Sequence, residues 1–576
     1  TIISDLFILY FLLKLFPNSF NRIIIFYFIS PIVLYSGYMH SQLDLIPTSV
    51  LFSSIFFLVN GNLYLSAILY GFALGIKHHT IIALPLIVIY LYKNFRMINI
   101  VYFISISLLI FIVPLISYLK DSGFFQLVLD NPAQTLIYES YFQIGTMKLY
   151  IPLFVSGILY LRFFMYEKIN RDLLFAFINL LFVTFILLVA SSPGWHLWIS
   201  PFVSIFFIKY YDEIRHPLIF YYTFVLVFFI YFLFFFVSEY DSLTLLGNVF
   251  SLNVDNQILQ NIFFTFLEII LVGLMYTFYK IGIKSNKVYQ PDFASVIGIA
   301  GDSASGKTTL LNDIKDLLGK HLVNIEGDGD HKWERNNTNW EELTHLDPKA
   351  NFLYRQAENI LSLKSGKSIM RVDYNHDTGV FTDKKIINSN DFVILSGLHT
   401  LYLPKMRKAL DLSIFLDPAE DVRQKWKIER DVKDRGYDKK EVVSNLDKRS
   451  SDSAKFIMPQ REYADIIISY FNNSDIKGKL ALKLVFDSSI NMEELLNLLS
   501  VNSLEFYHDY SEDLKNQTIL LKQEPKKDLI VLFASKLIFN IEEIVDAPKW
   551  GNGYRGFVQL LFLLILTETL KVKKHV

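Results

Sequence analysis

Gly301, Gly306, Lys307 and Thr308 stand at the spacing G-x-x-x-x-G-K-[ST] within SVIGIAGDSASGKTTL, residues Ser295–Leu310. In such a loop successive backbone N–H groups cradle phosphates at the positive end of a helix. Gly301, Asp302, Ser303, Ala304, Ser305, Gly306, Lys307, Thr308 and Thr309 are therefore the expected nucleotide-binding segment. Lys307 would reach the β- and γ-phosphates, and the Thr308 hydroxyl would ligate Mg²⁺. The apolar run Val296–Ala300 and the helix-compatible Leu310–Leu318 are the flanks this chemistry needs; the plainer alternative is a glycine turn between strand and helix.

Further chemistry-bearing residues follow. EGDGDHKWER, Glu326–Arg335, sets Asp328 and Asp330 where a strand delivers side chains to the phosphate end of a sheet. A carboxylate there can take the proton of an attacking hydroxyl, or Asp328 can simply cap a turn. In RVDYNHDTGVF, Arg371–Phe381, the neighbours Tyr374, Asn375 and His376 beside a Gly turn suggest ligand contact. Arg423, Lys427 and Arg430 recur at i, i+4 and i+7 and form a basic stripe. It reads either as a lid over polyphosphate or as a solvated face with pairs such as Lys427 with Asp431 and Arg430 with Asp434.

In combination, GDSASGKT, EGDGDHKWER, HLDPKAN, YNHDTG, SGLH, WKIERDVKDRGY and PQREYAD resemble the phosphoribulokinase and uridine kinase family, nearer the phosphoribulokinase side at YNHDTG and RDVKDRGY. WGNGYRGFVQ, Trp550–Gln559, extends the resemblance. It implies an ATP- and Mg²⁺-dependent kinase acting on a sugar phosphate or nucleoside, with Asp328 as catalytic base beside Lys307. By the same resemblance His331, Arg335, Tyr374, His376, Arg430 and Arg435 handle substrate. Two departures stand out. Ser396 replaces a Glu expected near Mg²⁺, which leaves Asp330 or another acid to substitute or catalysis weakened. Gly329-Asp330 replaces bulkier residues before His331. With no Cys, thiol regulation is excluded.

The elements that must hold these residues fall into two classes. The 576 residues are 52% hydrophobic with 52 Phe and 33 Tyr, an excess concentrated before about Lys280. That excess is too great for a soluble chain. About eleven apolar segments, centred near Ile8, Tyr27, Phe56, Ala67, Leu86, Leu109, Ser156, Leu180, Ile205, Val225 and Ile269, are candidate membrane spans. Lys14, Arg22, Lys93, Arg96, Lys168, Arg171, Lys209, Arg215, Lys280 and Lys284 fall on one side of an alternating arrangement, which should be cytoplasmic. The kinase half follows on that side. The opposite side receives Asp44, Lys77 with His78 and His79, the loop Asp121–Tyr150, Ser191–His196 and the acidic loop Glu239–Asn256.

The stretches SPIVLYSGYMHSQLD, YGFALGIKHHTIIALPLIVIYLY and SSPGWHLWISPF resemble polytopic type C glycosyltransferases that use polyprenyl-phosphate sugars. The resemblance implies an outer site with Asp44, Lys77, His78, His79, Trp195 and His196, in which a lysine or histidine meets a lipid phosphate. Snorkelling of Lys77 and an aromatic belt of Trp195 and Trp198 are the plainer readings.

The expected fold is multi-domain: an all-α polytopic membrane domain (1–283), a linker (284–292), an α/β P-loop domain with a parallel sheet (293–475) and its C-terminal extension (476–576). The helix-like Phe557–Val572 is too short and charge-flanked for a further span. The chain opens at Thr1 inside an apolar segment, so its natural N-terminus is expected upstream. A formal charge of −1 leaves no basic field for nucleic acid. The expected partners are ATP, the small acceptor, the lipid bilayer and a polyprenyl-phosphate sugar. The alternative is a weakened P-loop sensor that regulates a transporter or transferase.

Overall fold

The computed structural model describes the chain except residues 18, 119–123, 125–131, 190, 236–253, 255, 290–292, 434–437, 474–478, 539–540, 546–547 and 574–576. It divides into two compact units, 1–286 and 287–576.

The first unit is helical. Each of the expected centres lies in a helix, and among the described residues five helices are long and apolar enough to cross a membrane: Phe20–Met39, Met97–Tyr118, Arg171–Leu188, Pro217–Phe235 and Gln257–Lys287. Leu45–Val59, Leu63–Ile76 and Ile151–Phe164 are shorter, and at 1.5 Å per residue they fall short of the ~30 Å of a bilayer core. Arg171–Leu188 and His196–Lys209 bury nearly every side chain and form the centre of the unit. The loop Glu239–Asn256 lies largely outside the described residues, as do 121–123 and 125–131 of the loop Asp121–Tyr150, in which Tyr141–Ile144 (β1) and Met147–Tyr150 (β2) pair as a hairpin.

Several expected cytoplasmic breaks meet at one end of the bundle. Arg22 pairs with Asp212 and Lys284 with Glu213. Beneath them the buried Asp172 is held by Lys209 at 2.7 Å, by the Tyr210 hydroxyl at 2.6 Å and by Ser285 Oγ at 2.6 Å. A buried carboxylate persists only when so paired and hydrogen-bonded. The expected linker is not an open loop: helix Gln257–Tyr289 runs through most of it.

The second unit is built on an eight-stranded sheet. Its strands are Ser295–Gly301 (β3), Leu322–Glu326 (β4), Phe392–Gly397 (β7), Leu412–Leu416 (β8), Ile466–Asn472 (β9), Leu480–Asp487 (β10), Phe506–Tyr510 (β11) and Asn516–Leu521 (β12), in the order β11-β12-β10-β9-β8-β3-β7-β4. Ile369–Arg371 (β5) and Lys385–Ile387 (β6) form a separate ribbon. From β9 to β4 the strands are parallel, as their unbroken apolar runs require. β10, β12 and β11 add to it antiparallel. The expected parallel sheet of 293–475 is therefore present as β9-β8-β3-β7-β4, and the strands after 476 extend the same sheet antiparallel. β9 and β10 are close enough in sequence to pair as antiparallel neighbours, whereas a parallel pair needs a crossover of a dozen or more residues.

Two apolar cores cover the faces. One face carries the helix Lys307–Leu318 after the phosphate loop and the helix Gly553–Lys573, whose residues from Leu560 to Leu566 are buried against the sheet. That burial explains why the LLFLLIL run is apolar without being a span. Gly556 lets this helix pack on helix Lys527–Leu537, since a Cβ there would stand 2.5 Å from Ile530 Cδ1. Arg555 forks onto Asp313 of the phosphate-loop helix with Nε 3.0 Å from Oδ1, and Gln559 Nε2 donates to Asp313 O at 2.7 Å. Helix Leu353–Lys364 covers the other face through Ala357, Ile360 and Leu363.

Candidate active site

β3 ends at Gly301, whose φ of +149° and whose contacts, Ser305 Oγ at 2.6 Å and Leu416 O at 2.8 Å from a would-be Cβ, admit only glycine. Gly306, at φ +97°, caps the helix that starts at Lys307. The first-turn N–H groups of that helix have no intrahelical acceptor. Ser305 Oγ is buried with no hydrogen-bond partner, and Thr308 and Thr309 are exposed. This is a shaped anion cradle. Lys307 Nζ lies across it, donating to Gly301 O at 2.9 Å and Asp302 O at 2.7 Å. Burial lowers the Lys307 ammonium to a pKa of about 8, against the opposing pull of Asp328 and Asp302.

The basic stripe faces this loop. On helix Glu420–Lys433, Arg423 Nη1 is 3.1 Å from Asp302 Oδ2 and 3.3 Å from Ser303 O. Arg430 Nη2 reaches Ser303 Oγ at 3.4 Å. Lys427 is buried between them, and its burial together with the nearby Arg449 brings its pKa down to about 8. The solvated-face reading of the stripe does not hold. Arg430 pairs with Asp431 at 2.9 Å, while Asp434 and Arg435 lie outside the described residues. Ser453 Oγ completes the Asp302 cluster at 2.6 Å. Neither Ser453 nor the role of Arg423 was signalled locally in sequence.

β4 delivers Asp328 through a short turn, Gly327–Asp330. His376 Nε2 is 3.1 Å from Asp328 Oδ2, and His331 Nε2 is 3.5 Å from Oδ1. Burial pushes the Asp328 carboxyl up, but the His376 hydrogen bond and the charges of His331, His376 and Lys307 outweigh it and hold the group well below the usual carboxylate range. Asn351 commits its Nδ2 to the carbonyls of His345 and Asp347, so its Oδ1 accepts from His331 Nδ1 at 2.7 Å. Tyr374 stands edge-on to both His331 and His376, at 5.8 and 5.2 Å, and Trp340 edge-on to His331 at 5.7 Å. Asp328, His331, Tyr374 and His376 are thus brought together, with Trp340 as a wall that sequence reasoning missed.

Other expected residues turn elsewhere. Arg335 donates to the backbone carbonyls of His376 and Asp377 and so pins the 374–381 loop. Asn375 Oδ1 caps the turn at Asp377 N (2.9 Å) instead of facing a ligand. Asp330 cannot replace the missing Glu. It is buried and held by Arg355 Nε at 3.1 Å, Gln356 Nε2 at 3.2 Å and Arg371 Nη2 at 3.6 Å. Gly329 is demanded by the same packing, because a Cβ there would collide with the Arg371 guanidinium and stand 2.6 Å from Val372 O.

In the helical unit Asp44, Lys77, His79 and Trp195 converge. Asp44 is buried and accepts from Lys77 Nζ at 2.5 Å and Trp198 Nε1 at 2.7 Å. His79 stacks on Trp198 at 4.1 Å with both ring nitrogens buried and unpartnered, and Trp195 stacks on Trp198 at 4.6 Å. Gly194 closes on the cluster, as a Cβ there would lie 2.9 Å from Asp44 Oδ2. His78 and His196 stand apart, His78 edge-on to Phe111 and His196 packed against Phe228 and Phe232.

A parallel run of strands carrying this loop at the carboxyl end of β3, with the Asp328 carboxylate held below its usual range by Lys307 and two histidines, is a P-loop nucleotide-binding arrangement. Residues 296–477, within the second unit, match the Phosphoribulokinase / Uridine kinase family. The match leaves the helical unit outside it. The phosphoribulokinase of Synechocystis is 36% identical over 191 residues, covering 33% of this chain and 58% of that protein. The uridine kinase of Borrelia duttonii is 29% identical over 205 residues, 34% of this chain and 97% of that protein. The chain spans about half the length of the phosphoribulokinases it matches. The solved phosphoribulokinase from Rhodobacter spheroides aligns with 48% of this chain and 99% of its own at 18% identity, with a TM-score of 0.34.

Proposed function

We propose that the second unit transfers the γ-phosphoryl group of ATP to a hydroxyl of a small pentose-type acceptor, of the ribulose 5-phosphate or uridine class. The observation that carries this reading is the ionised Asp328, within electrostatic reach of Lys307 and flanked by His331, Tyr374 and His376. Asp328 takes the hydroxyl proton as the acceptor oxygen bonds to the γ-phosphorus and the bond to the β-phosphate oxygen breaks, releasing ADP. Lys307 leaves the loop carbonyls for the incoming phosphates. Arg423, Lys427 and Arg430 add positive charge where negative charge spreads in the transition state.

Among the described residues no group of three or more His, Cys, Asp or Glu side chains could hold a metal unaided. Oxygen donors such as the Thr308 hydroxyl suit Mg²⁺, which binds through few protein groups and the substrate phosphates. When bound, Mg²⁺ neutralises phosphate charge.

The test is ADP release by the purified full chain in detergent, with Mg-ATP and ribulose 5-phosphate, uridine, free pentoses or other nucleosides. Turnover with one class fixes the acceptor. ATP binding without turnover favours the sensor reading, in which Ser396 marks lost catalysis.

For the helical unit, the Asp44–Lys77–Trp198–His79 cluster supports a membrane-embedded glycosyltransferase-like site for a polyprenyl-phosphate sugar. In that reading the chain is a multi-pass membrane protein with the kinase on the cytoplasmic side. Retention of a radiolabelled polyprenyl-phosphate sugar by the purified chain tests it.

A further inference from the structure

The kinase reading leaves a carboxylate missing at Ser396, and the sheet register points to its replacement. Ser396 on β7 is the Cα partner of Ile299 on β3 and of Glu326 on β4. Partners in register on adjacent strands, about 4.8 Å apart, put their side chains on the same face. Strand parity identifies that face. Ile325 packs with Val393 and Leu395 in one core. Ile299 and Ile394 belong to the opposite core, with Leu310, Leu311 and Ile314 of the phosphate-loop helix. Glu326 and Ser396, each offset by one or two residues from those positions, therefore lie on the side of that helix. They sit at the carboxyl ends of their strands, the end from which the loop and Thr308 also start.

The acids around the loop differ in what they hold. Asp302 is taken by Arg423 and Ser453, Asp328 by His331 and His376, and Asp330 by Arg355, Gln356 and Arg371. Glu326 is exposed, and among the described residues its carboxylate has one contact, Asn324 Nδ2 at 3.3 Å from Oε1, and no ion pair. A glutamate side chain is long enough to reach across the position of the neighbouring serine.

Building on the kinase reading, we infer that Glu326 supplies the metal-side carboxylate that Ser396 lacks. A divalent cation shared with the nucleotide phosphates is then held by Glu326 and Thr308, which leaves Asp328 to the acceptor hydroxyl. One strand end thus carries both acids, two residues apart, on separate duties.

The experiment is Mn²⁺ binding to the full chain in detergent, followed by electron paramagnetic resonance in the presence of the non-hydrolysable ATP analogue AMP-PNP. Glu326→Gln is expected to weaken Mn²⁺ at least tenfold while metal-free AMP-PNP affinity stays within twofold. The double variant Glu326→Gln/Ser396→Glu is expected to restore Mn²⁺ binding. Unchanged Mn²⁺ affinity in Glu326→Gln overturns the inference, and turnover by the wild type would leave the kinase reading standing. A loss that Ser396→Glu does not restore also overturns it, by showing that Glu326 acts through the fold. A wild type that does not bind AMP-PNP removes the kinase reading and this inference together.

Discussion

His376 Nε2 lies 3.1 Å from Asp328 Oδ2, so a loop residue some fifty positions downstream sets the charge of the proposed base. Asp328→Asn is expected to lower turnover by about 10²–10⁴-fold, the usual scale of general-base catalysis, and to spare ATP affinity. His376→Ala removes the hydrogen bond that helps hold the carboxyl down. The Asp328 pKa should then rise, and the acidic limb of the kcat profile should move to higher pH. An unmoved limb would separate His376 from Asp328.

Lys307, brought to a pKa of about 8 by burial, must be protonated when it meets phosphate. Below that pH the ammonium is already charged; above it, binding has to take up a proton. Apparent ATP affinity should therefore fall as pH rises through about 8, by up to about tenfold per pH unit for one linked proton. Calorimetry in buffers of different ionisation enthalpy should show proton uptake on binding at pH 8 to 9. Lys427, also brought to about 8, can contribute to the same limb, so the part lost in Lys307→Met is what belongs to Lys307.

Among the described residues Arg555 is the only ion-pair partner of Asp313, a carboxylate 5% exposed, while the arginine itself is 56% exposed. Arg555→Gln leaves that carboxylate short of a charge-assisted pair. With discount for the solvated arginine, the cost is about 1–3 kcal/mol. The melting temperature of the second unit should drop by about 2–4 °C per kcal/mol. A double-mutant cycle with Asp313→Asn, read by differential scanning calorimetry, checks that the two losses are one interaction.

Lys77 Nζ meets Asp44 at 2.5 Å, and its side chain is 44% exposed, so it can face both the buried carboxylate and a second anion. Lys77→Met is expected to weaken retention of a polyprenyl-phosphate sugar about tenfold or more, on the scale of a lost hydrogen bond to a charged group. His78→Ala, outside the cluster, should leave it unchanged. Equal effects of the two changes would dissolve the proposed lipid-phosphate site.

Much of the kinase site was legible because its signals are local. The loop spacing, the strand before it, the helix after it and the acidic turn at Asp328 each sit within a few residues. What holds Asp330 was not legible, for the opposite reason. Its cage comes from Arg355 and Gln356 on one helix and Arg371 on a ribbon strand, which no spacing around Asp330 announces. The arginines showed the same limit: charge and period placed Arg423 on a stripe, but only the fold turns that stripe onto Asp302. In the helical unit, composition located the apolar segments. It did not tell long helices from short ones buried among their neighbours, such as His196–Lys209, because apolar character is common to both.

The burial of Phe557 to Leu566 against Leu310 and Ile314 also fixes an order of assembly. Translation makes the phosphate loop some 250 residues before the helix that completes its core. Until that helix emerges from the ribosome, the loop helix can pack on its strands but part of their shared core stays uncovered. A nascent or truncated chain lacking it would present sticky surface to chaperones, and the helical unit ahead of it would be made before this core could close.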